Sequence, residues 1–385
     1  MNLTKKQIWS RLMSKNSITL GKIMGIPIGI HISWVLIFVL LTWSLAGGQF
    51  PRQYPHWPAG LYWLIGLAAS LLLFASVLLH ELGHSAVALR KGLPVQSITL
   101  FIFGGVAQIS QEPASAGTEF LVAVAGPAVS LALTFLFGLV WLVIRPLSQP
   151  LGALSLYLTY INGSLAFFNL IPGFPLDGGR ILRAALWAWQ GDLRRATRVA
   201  SFVGQGVAYL FIFIGLWQIL SGRWLNGLWV AFIGWFLDNA AQASYKQVAV
   251  REMLAGHTVR EIMNWDCPSI SPELPLDQVV HNYILATGRR CFPITEDKQA
   301  LGLLTIHHIK EIPRHRWAEV TAREAMTPLA QLLTIGPDEE LWHALQEMTE
   351  EGVNQLPVVE GGRLLGMLGR DNVLSFLRTR AELGI

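Results

Sequence analysis

The sequence has few charged residues and few cysteines for its length. Only 14% of its 385 residues are Asp, Glu, Lys or Arg, whereas 52% are hydrophobic. A chain that folded entirely in water would struggle to bury so much apolar surface, which argues against a wholly soluble protein. The only two cysteines, Cys267 and Cys291, argue against a disulfide framework or a cysteine-rich metal knuckle, and they favour a reducing compartment.

The N-terminal residues also lack the features of a cleaved signal peptide. Five basic residues precede an apolar run that is too long for such a signal, so the first span is expected to remain as an anchor: Lys5, Lys6, Arg11, Lys15 and Lys22. The formal charge of +4 needs no nucleic-acid partner to explain it, because membrane proteins carry excess Lys and Arg in their cytoplasmic loops. We therefore expect no binding to nucleic acid.

The apolar residues are concentrated in stretches long enough to cross a membrane. Spanning ~30 Å of hydrocarbon takes roughly 20 apolar residues in a helix. Six stretches qualify or nearly qualify: 25–46, 60–88, 118–144, 152–172 running on to 189, 204–221 and 225–242. The fourth is interrupted by prolines and glycines from Pro172 onward, and such broken backbone is tolerated at membrane depth only where protein or a water-filled cavity satisfies it. We predict a polytopic α-helical membrane protein with about six transmembrane helices and a site at this break.

Basic residues fall mainly on one side of these six spans. That side receives the N-terminus, the loop at Arg90, the arginine-rich stretch 180–198 and Lys246. The other side receives only three arginines, namely Arg52, Arg145 and Arg223. By the positive-inside rule, we expect a multi-pass protein of the cell membrane with its N-terminus and its C-terminal region in the cytoplasm.

The second apolar stretch continues directly into His80-Glu81-Leu82-Gly83-His84. Histidines four residues apart point from one face of a helix toward a single metal ion, with Glu81 beside them. Zinc is suited to two imidazoles, a carboxylate and a water molecule, and a glutamate can take a proton from that water. The alternative is a plain polar end of the helix, but ionisable groups at membrane depth are costly and normally serve function. The motif predicts one catalytic zinc ion.

A third ligand has to come from elsewhere, and Asp177 is the best candidate. The prolines and glycines between Asn169 and Arg180 break the helix and can aim the Asp177 carboxylate inward. The same aspartate could instead cap a helix that begins at about Gly179, which is a common role for Asp after a turn. Composition leaves these two interpretations about even.

Together, the two motifs resemble the site-2 protease family of intramembrane metalloproteases, in its bacterial and archaeal branch with cytoplasmic cystathionine-β-synthase-type (CBS) domains. The resemblance rests on the helical His-Glu-Leu-Gly-His at 80–84 and on Asn-x-x-Pro-x-x-Pro-Leu-Asp-Gly-Gly-Arg at 169–180, in that order. It implies that His80, His84 and Asp177 hold the zinc ion. It also implies that Glu81 activates the attacking water and that Asn169 positions substrate or stabilises the oxyanion.

The resemblance gives expected roles to three other features. The alternating stretch 100–108, which contains Gly104 and Gly105, is similar to the family's membrane-associated β-hairpin that pairs with an extended substrate. A plain amphipathic hairpin outside the bilayer is the alternative. Gly126-Pro127 fits the family's Gly-Pro element, although close packing would explain it equally well. His31 could line a water route to the metal or be a satisfied polar residue near the interface.

Residues 257–385 contain an internal repeat with a period of about 63 or 64 residues. Val259-Arg260-Glu261-Ile262-Met263 aligns with Ala322-Arg323-Glu324-Ala325-Met326, and short predicted strands follow in both copies. The two copies resemble a soluble α/β tandem pair of CBS domains. We predict a transmembrane zinc metalloprotease domain over 1–248, a first CBS domain over 257–314 and a second over 320–380.

The CBS family commonly binds adenine nucleotides through a Thr or Ser and an Asp three residues later. The first repeat has Thr305 but His308 at the Asp position, and the second has Gly369 and Asn372, with Asp371 one place early. An adenine nucleotide bound at Thr305 is therefore one interpretation. A dimerising or gating module that binds no ligand, and that could form a homodimer, is the other.

These features favour a zinc metalloendopeptidase of the membrane that cleaves single-span membrane proteins within or near their transmembrane segments. The resemblance implies regulated intramembrane proteolysis, with the CBS pair as a candidate regulator. A CBS-gated transporter would show inverted repeats in the membrane half and charged groups at mid-bilayer, and neither is clear. A catalytically inactive relative would lack part of the site, whereas His80, Glu81, His84 and Asp177 are all present.

Overall fold

The computed structural model describes residues 17–102, 104–109, 113–296 and 299–383. Of the residues named above, Lys5, Lys6, Arg11 and Lys15 lie outside the described residues, as does Phe103 within the stretch 100–108. The chain divides into two compact units, Met1–Lys246 and Gln247–Ile385.

Long helices make up most of the first unit. Their bounds are α1 (Ile32–Gln53), α2 (Ala59–Arg90), α3 (Ala116–Ile144), α4 (Gln149–Asn169), α5 (Asp177–Gln190), α6 (Leu193–Leu220) and α7 (Trp224–Leu254). Helix α1 changes from α-helical to π-helical hydrogen bonding over Leu45–Gln49. Within the described residues, five helices are long and apolar enough to cross a membrane: α1, α2, α3, α4 and α6. The predicted multi-pass helical fold is confirmed.

One of the predicted spans needs correction, and the count of six spans stays a prediction. The sixth predicted span, 225–242, lies within α7, which is not among the five apolar helices because polar residues interrupt its apolar run: Asn226, Asp238 and Asn239. The fourth predicted span does not run on to residue 189. Helix α4 ends at Asn169, and after the Pro- and Gly-rich segment a separate amphipathic helix, α5, begins at Asp177.

A four-stranded sheet accompanies the helices of the first unit. Its strands are β1 (Ser17–Ile23), β2 (Ile26–His31), β3 (Val95–Phe101) and β4 (Gly104–Ile109), in the order β1-β2-β3-β4. The outer pairs are antiparallel, and β2 and β3 are parallel. The predicted hairpin is thus one half of a larger sheet, in which Ile26, Ile28 and Ile98 form a buried cluster.

The first predicted span begins later than expected, because residues 26–31 form β2 rather than helix. A short apolar run of this kind cannot be assigned to strand or helix from its periodicity alone. His31 ends β2 and caps α1, where its Nδ1 accepts a hydrogen bond from the Ser33 amide at 3.2 Å. His31 therefore has a capping role that the sequence interpretation missed.

The second unit contains the two repeats as intertwined α/β halves. The first consists of α8 (Val259–Ile262), α9 (Leu276–Val279), β5 (Cys291–Glu296), β6 (Gln299–Thr305) and α10 (Ile306–Glu311). The second consists of α11 (Ala322–Ala325), β7 (Thr327–Pro328), α12 (Leu341–Glu350), β8 (Gln355–Glu360), β9 (Arg363–Gly369) and α13 (Arg370–Leu383). Isolated bridges join Thr258 to Glu340 and Pro275 to Thr321, so the start of each repeat pairs with the middle of the other.

Each hydrophobic core of the second unit contains residues of both repeats. One buried cluster combines Val259 and Met263 with residues of the second repeat, and the other combines Val320 and Ala322 with residues of the first.

Both cysteines are free thiols, and burial raises the pKa of the Cys291 thiol to about 12. That thiol stays protonated at neutral pH, as expected of a structural cysteine.

Candidate metal centre

His80, His84 and Asp177 come together inside the helices of the first unit. Asp177 Oδ2 lies 3.2 Å from His80 Nε2 and 3.2 Å from His84 Nε2, and the two Nε2 atoms lie 3.2 Å apart. Both imidazoles are buried, with 4% exposure each. The three potential ligand atoms therefore form a nearly equilateral triangle.

Helix α2 sets the positions of the two histidines, and helix α3 sets the direction of their rings. His84 Nδ1 donates to the Val122 carbonyl at 2.7 Å, and His80 Nδ1 lies 2.9 Å from the Ser130 hydroxyl. A carbonyl only accepts hydrogen bonds, so the proton of neutral His84 is on Nδ1 and its Nε2 carries a lone pair. Both Nε2 atoms point into the triangle as metal ligands should.

The absence of a side chain at Gly126 leaves room at this triangle. A Cβ atom built on Gly126 would lie 2.1 Å from His84 Nε2 and 2.6 Å from His80 Nε2. Any larger residue would fill the space that the two imidazoles face. Gly126 therefore allows α3 to approach the two imidazoles, which is more specific than the general close packing considered from the sequence.

Asp177 reaches the triangle because the segment before it is tightly folded. Its side chain does not cap a helix: the residue that caps α5 is Leu176, and Asp177 is already the first helical residue. Gly178 and Gly179 pack against the backbone of residues 170–174, where added Cβ atoms would come within 2.4 Å and 2.3 Å of backbone atoms. Of the two interpretations left open by the sequence, the geometry favours the inward-facing ligand.

The donor set and its spacing fit a zinc ion. Zinc binds imidazole nitrogen and carboxylate oxygen at about 2.0–2.2 Å, and a tetrahedral arrangement at that distance separates the ligand atoms by roughly 3.3–3.6 Å. The observed separations of 3.2 Å are close to this value. Three protein ligands leave one position for water or substrate, which is the pattern of a catalytic rather than a structural zinc site.

Glu81 lies at the contact between α2 and β4. A Cβ atom added to Gly105 would come within 2.5 Å of the Glu81 Cγ atom, so the strand passes directly against this side chain. The neighbouring Gly104 has φ +130°, a conformation that favours glycine. Strand β4 has β3 on one side and is an edge of the sheet as described. The predicted base and the predicted substrate-pairing strand are therefore neighbours.

The remaining predicted residues lie outside the triangle. Asn169 is the last residue of α4 and is half-buried, and no hydrogen bond joins it to the three ligands in the described structure. Thr305 belongs to the second unit, where it caps α10. The contributions of Val122 and Ser130 were not predicted, because a backbone carbonyl and a helical serine give no distinctive signal in one sequence. Gly126 was named from the family resemblance, but its position against the two imidazoles was not predicted.

Comparison with known proteins identifies the family of this chain. Residues 68–151 and 144–213 match the model described as peptidase family M50, and residues 259–314 and 322–379 match that of the CBS domain. The Synechocystis sp. protein sll0528 is 38% identical over 369 residues, which are 95% of this chain and 97% of the relative. The chain belongs to peptidase family M50. The prediction of a site-2 protease-type zinc metalloendopeptidase with a CBS pair is confirmed.

The chain is also similar to a relative and to a solved structure from one archaeal organism. Zinc metalloprotease MJ0392 of Methanocaldococcus jannaschii is 30% identical over 374 residues, covering 95% of this M50 chain and 98% of the relative. The solved structure of the site-2 protease from the same organism is 31% identical and covers 60% of this chain and 95% of its own, with a TM-score of 0.41.

Proposed function

We propose that this M50 protein hydrolyses peptide bonds of single-span membrane proteins within the bilayer, in regulated intramembrane proteolysis. The observation that carries the proposal is the triangle of His80 Nε2, His84 Nε2 and Asp177 Oδ2 between apolar helices, with separations of 3.2 Å. His80, Glu81 and His84 lie on α2, which is a candidate membrane span. A water-dependent reaction at this place needs a substrate that is itself in the membrane.

The depth of the site supports cleavage near one membrane surface. Helix α2 has 32 residues, which is about 48 Å of helix and longer than the hydrocarbon core. His84 lies six residues before Arg90, or about 9 Å along the helix axis, and Arg90 and Lys91 follow as basic residues. By the positive-inside rule this end is cytoplasmic, so the scissile bond would lie toward the cytoplasmic face.

The orientation proposed here places the N-terminus and the CBS pair in the cytoplasm. This requires α7 to cross the bilayer as a sixth span. Large apolar side chains on α7 support such a crossing because they are exposed on the isolated chain: Trp224, Leu225, Leu228, Trp229, Phe232 and Trp235. An aqueous setting would be unfavourable for a patch of this size.

Strand β4 is the proposed docking strand for the substrate. A transmembrane helix must unwind before its amides become accessible, and pairing with an exposed sheet edge would hold the unwound segment extended. Because Gly105 lies against Glu81, a chain added at this edge would have its backbone near the base. Gly104 and Gly105 also lack side chains that could obstruct the approach of another backbone.

The proposed reaction is metal-assisted hydrolysis with Glu81 as general base and then general acid. His80, His84 and Asp177 would hold the zinc ion, which when bound supplies a water of lowered pKa and polarises the carbonyl. Glu81 takes the proton as the water oxygen attacks the carbonyl carbon, and returns it to the amine nitrogen as the carbon–nitrogen bond breaks. Asn169 is proposed to position the substrate or stabilise the oxyanion.

Mapping the cut in a membrane-embedded substrate tests the proposal. We expect full-length protein in liposomes to cleave a single-span substrate inside its apolar segment, and mass spectrometry of both products identifies the bond. Glycine or proline residues in that segment should raise the rate because they make unwinding easier. Removing zinc with a chelator should abolish cleavage, and adding zinc should restore it. Products cut only in the aqueous flanks would contradict intramembrane cleavage.

The CBS pair is proposed to regulate the peptidase, with an adenine nucleotide as the candidate ligand at Thr305. In the structure, the His308 amide donates to Thr305 Oγ1 at 3.4 Å, and His308 Nε2 lies 3.2 Å from Thr327 Oγ1. His308 therefore occupies the place of the family's aspartate and binds within the protein. A homodimer formed through the CBS pair without nucleotide is the competing proposal.

Replacing His308 with aspartate should strengthen nucleotide binding. The change supplies the carboxylate that CBS domains use with the ribose, and one hydrogen bond to a charged group is worth a roughly 10- to 100-fold change in affinity. Calorimetric titration of AMP and ATP into full-length protein measures the effect. The matched control is His307→Asp, which adds the same charge at an exposed neighbour. Absence of heat change in both the parent chain and His308→Asp would favour the ligand-free dimer.

A further inference from the structure

A buried ion pair joins two helices of the metal site without involving any of the three ligands. Glu119, in the first turn of α3, is 0% exposed, and Arg183 of α5 is 7% exposed. Arg183 Nε donates to Glu119 Oε1 at 2.6 Å, and Arg183 Nη2 also contacts that oxygen. A buried ion pair is weak evidence of added stability, because desolvation of both charges offsets their attraction. The role of this pair therefore has to be inferred from its location between α3 and α5.

On α3, Glu119 continues the face that holds the two histidines. The residues of this face follow at spacings of three, four and four, as one side of an α-helix requires: Glu119, Val122, Gly126 and Ser130. Val122 and Ser130 bind the Nδ1 atoms of the two histidines, and Gly126 lies against their Nε2 atoms. The position of this face therefore sets where the imidazoles point.

On the other side of the pair, Arg183 contacts the chain both after and before Asp177. It lies six residues into α5, the helix that begins with Asp177. Its guanidinium carbon also lies 5.1 Å from the centre of the Phe174 ring, in the segment that precedes Asp177. Phe174 is itself buried in a cluster with Ala200 and Ala241. One guanidinium thus holds both the helix and the loop from which the third ligand projects.

We infer that Glu119 and Arg183 are positioning residues that hold Asp177 at the two histidines. The pair fixes α5 against the same face of α3 that orients the imidazoles, so it sets the separation between the carboxylate and the two Nε2 atoms. This inference rests on the proposed metal site. It adds a function for two residues that neither bind the metal nor contact the reacting bond.

Metal affinity tests the inference directly. Zinc-free, full-length protein in detergent is titrated with Zn²⁺ against a chromophoric chelator, and with Co²⁺, whose visible absorption reports the coordination geometry. We expect Glu119→Gln to weaken Zn²⁺ binding by about 10-fold, the low end of the cost of losing a group hydrogen-bonded to a ligand, because Glu119 acts through α5 and touches no ligand. The Co²⁺ spectrum should lose tetrahedral intensity. Glu119→Asp, which keeps the charge on a shorter side chain, should give an intermediate affinity.

Two further variants separate positioning from general destabilisation. The double variant Glu119→Gln with Arg183→Gln removes both charges, so a site that needs only charge balance would regain the parent affinity, whereas a positioning role predicts continued weak binding. Thr42→Val removes a buried hydrogen bond between α1 and Ser70 of α2, which lies outside the metal site, and should leave affinity unchanged.

The outcomes distinguish this inference from the proposed function. A parent chain that holds no zinc would refute the proposed site itself. A parent that holds zinc, together with Glu119→Gln and Glu119→Asp variants that keep the parent affinity and Co²⁺ spectrum, would refute only the positioning role. If Glu119→Gln fails to fold, the comparison between Glu119→Asp and the parent decides the question by the same two readouts.

Discussion

Replacing Glu81 with glutamine is expected to lower kcat for peptide hydrolysis by about 10²- to 10⁴-fold, the range over which a positioned general base contributes. Glutamine has nearly the same shape, so it should keep the contact that Glu81 makes with Gly105. It cannot accept a proton from water at neutral pH. Because the three ligand residues are unchanged, the zinc content should equal that of the parent. Cleavage of the single-span substrate, together with zinc analysis, measures both effects.

The matched control for Glu81→Gln is Asp192→Asn, which makes the same acid-to-amide change at the residue that caps α6. We expect this control to retain the parent's kcat. If Glu81→Gln cleaved at nearly the parent's rate while holding zinc, the proton would have to be taken by another group. Loss of zinc from Glu81→Gln would instead indicate that Glu81 contributes to metal binding, and the assignment of roles within the motif would be wrong.

The parts of the site predicted from the sequence are those with a local signal. His80 and His84 are one helical turn apart, so their convergence follows from helix geometry alone. Asp177 was selected as a ligand by the family resemblance, because the sequence around it was equally compatible with a helix cap. The structure places its carboxylate with the histidines because Gly178 and Gly179 allow the preceding loop to fold against α5. That fold depends on backbone contacts that no single residue type specifies.

The parts that were missed depend on tertiary contacts. Val122 acts through a carbonyl that every residue possesses, and Glu119 would pass for an ordinary acidic residue in the first turn of a helix. Strand β2 lies inside the predicted first span and shares its apolar composition, so periodicity did not separate the two, and β1 was not predicted. The repeats of the second unit were found from their period. The pairing of Thr258 and Thr321, at the start of each repeat, with the middle of the other repeat was seen only in the structure.

Substitution of Gly126 is also expected to have a large effect on the metal site. The effect would come from a steric clash and not from the loss of a chemical group. Changing Gly126 to alanine would place a methyl group 2.1 Å from His84 Nε2 and 2.6 Å from His80 Nε2, far inside contact distance. Both rings are held from behind by hydrogen bonds to α3, the helix that carries Gly126 itself. The rings cannot retreat without breaking those bonds, and the helix cannot retreat without moving the hydrogen-bonding partners.

We therefore expect Gly126→Ala to lower zinc affinity by more than the roughly 10- to 100-fold that loss of an outer partner causes, and to abolish cleavage. The control is Gly138→Ala on the same helix, where an added Cβ would meet Thr159 Cγ2 at an ordinary 3.7 Å. Alanine also favours helix over glycine by about 1 kcal/mol, so both variants should fold at least as well as the parent except for the clash. Parent-like zinc affinity in Gly126→Ala would mean that the two imidazoles do not face this surface of α3 when the metal is bound. The triangle would then have to form in a different arrangement of α2 and α3.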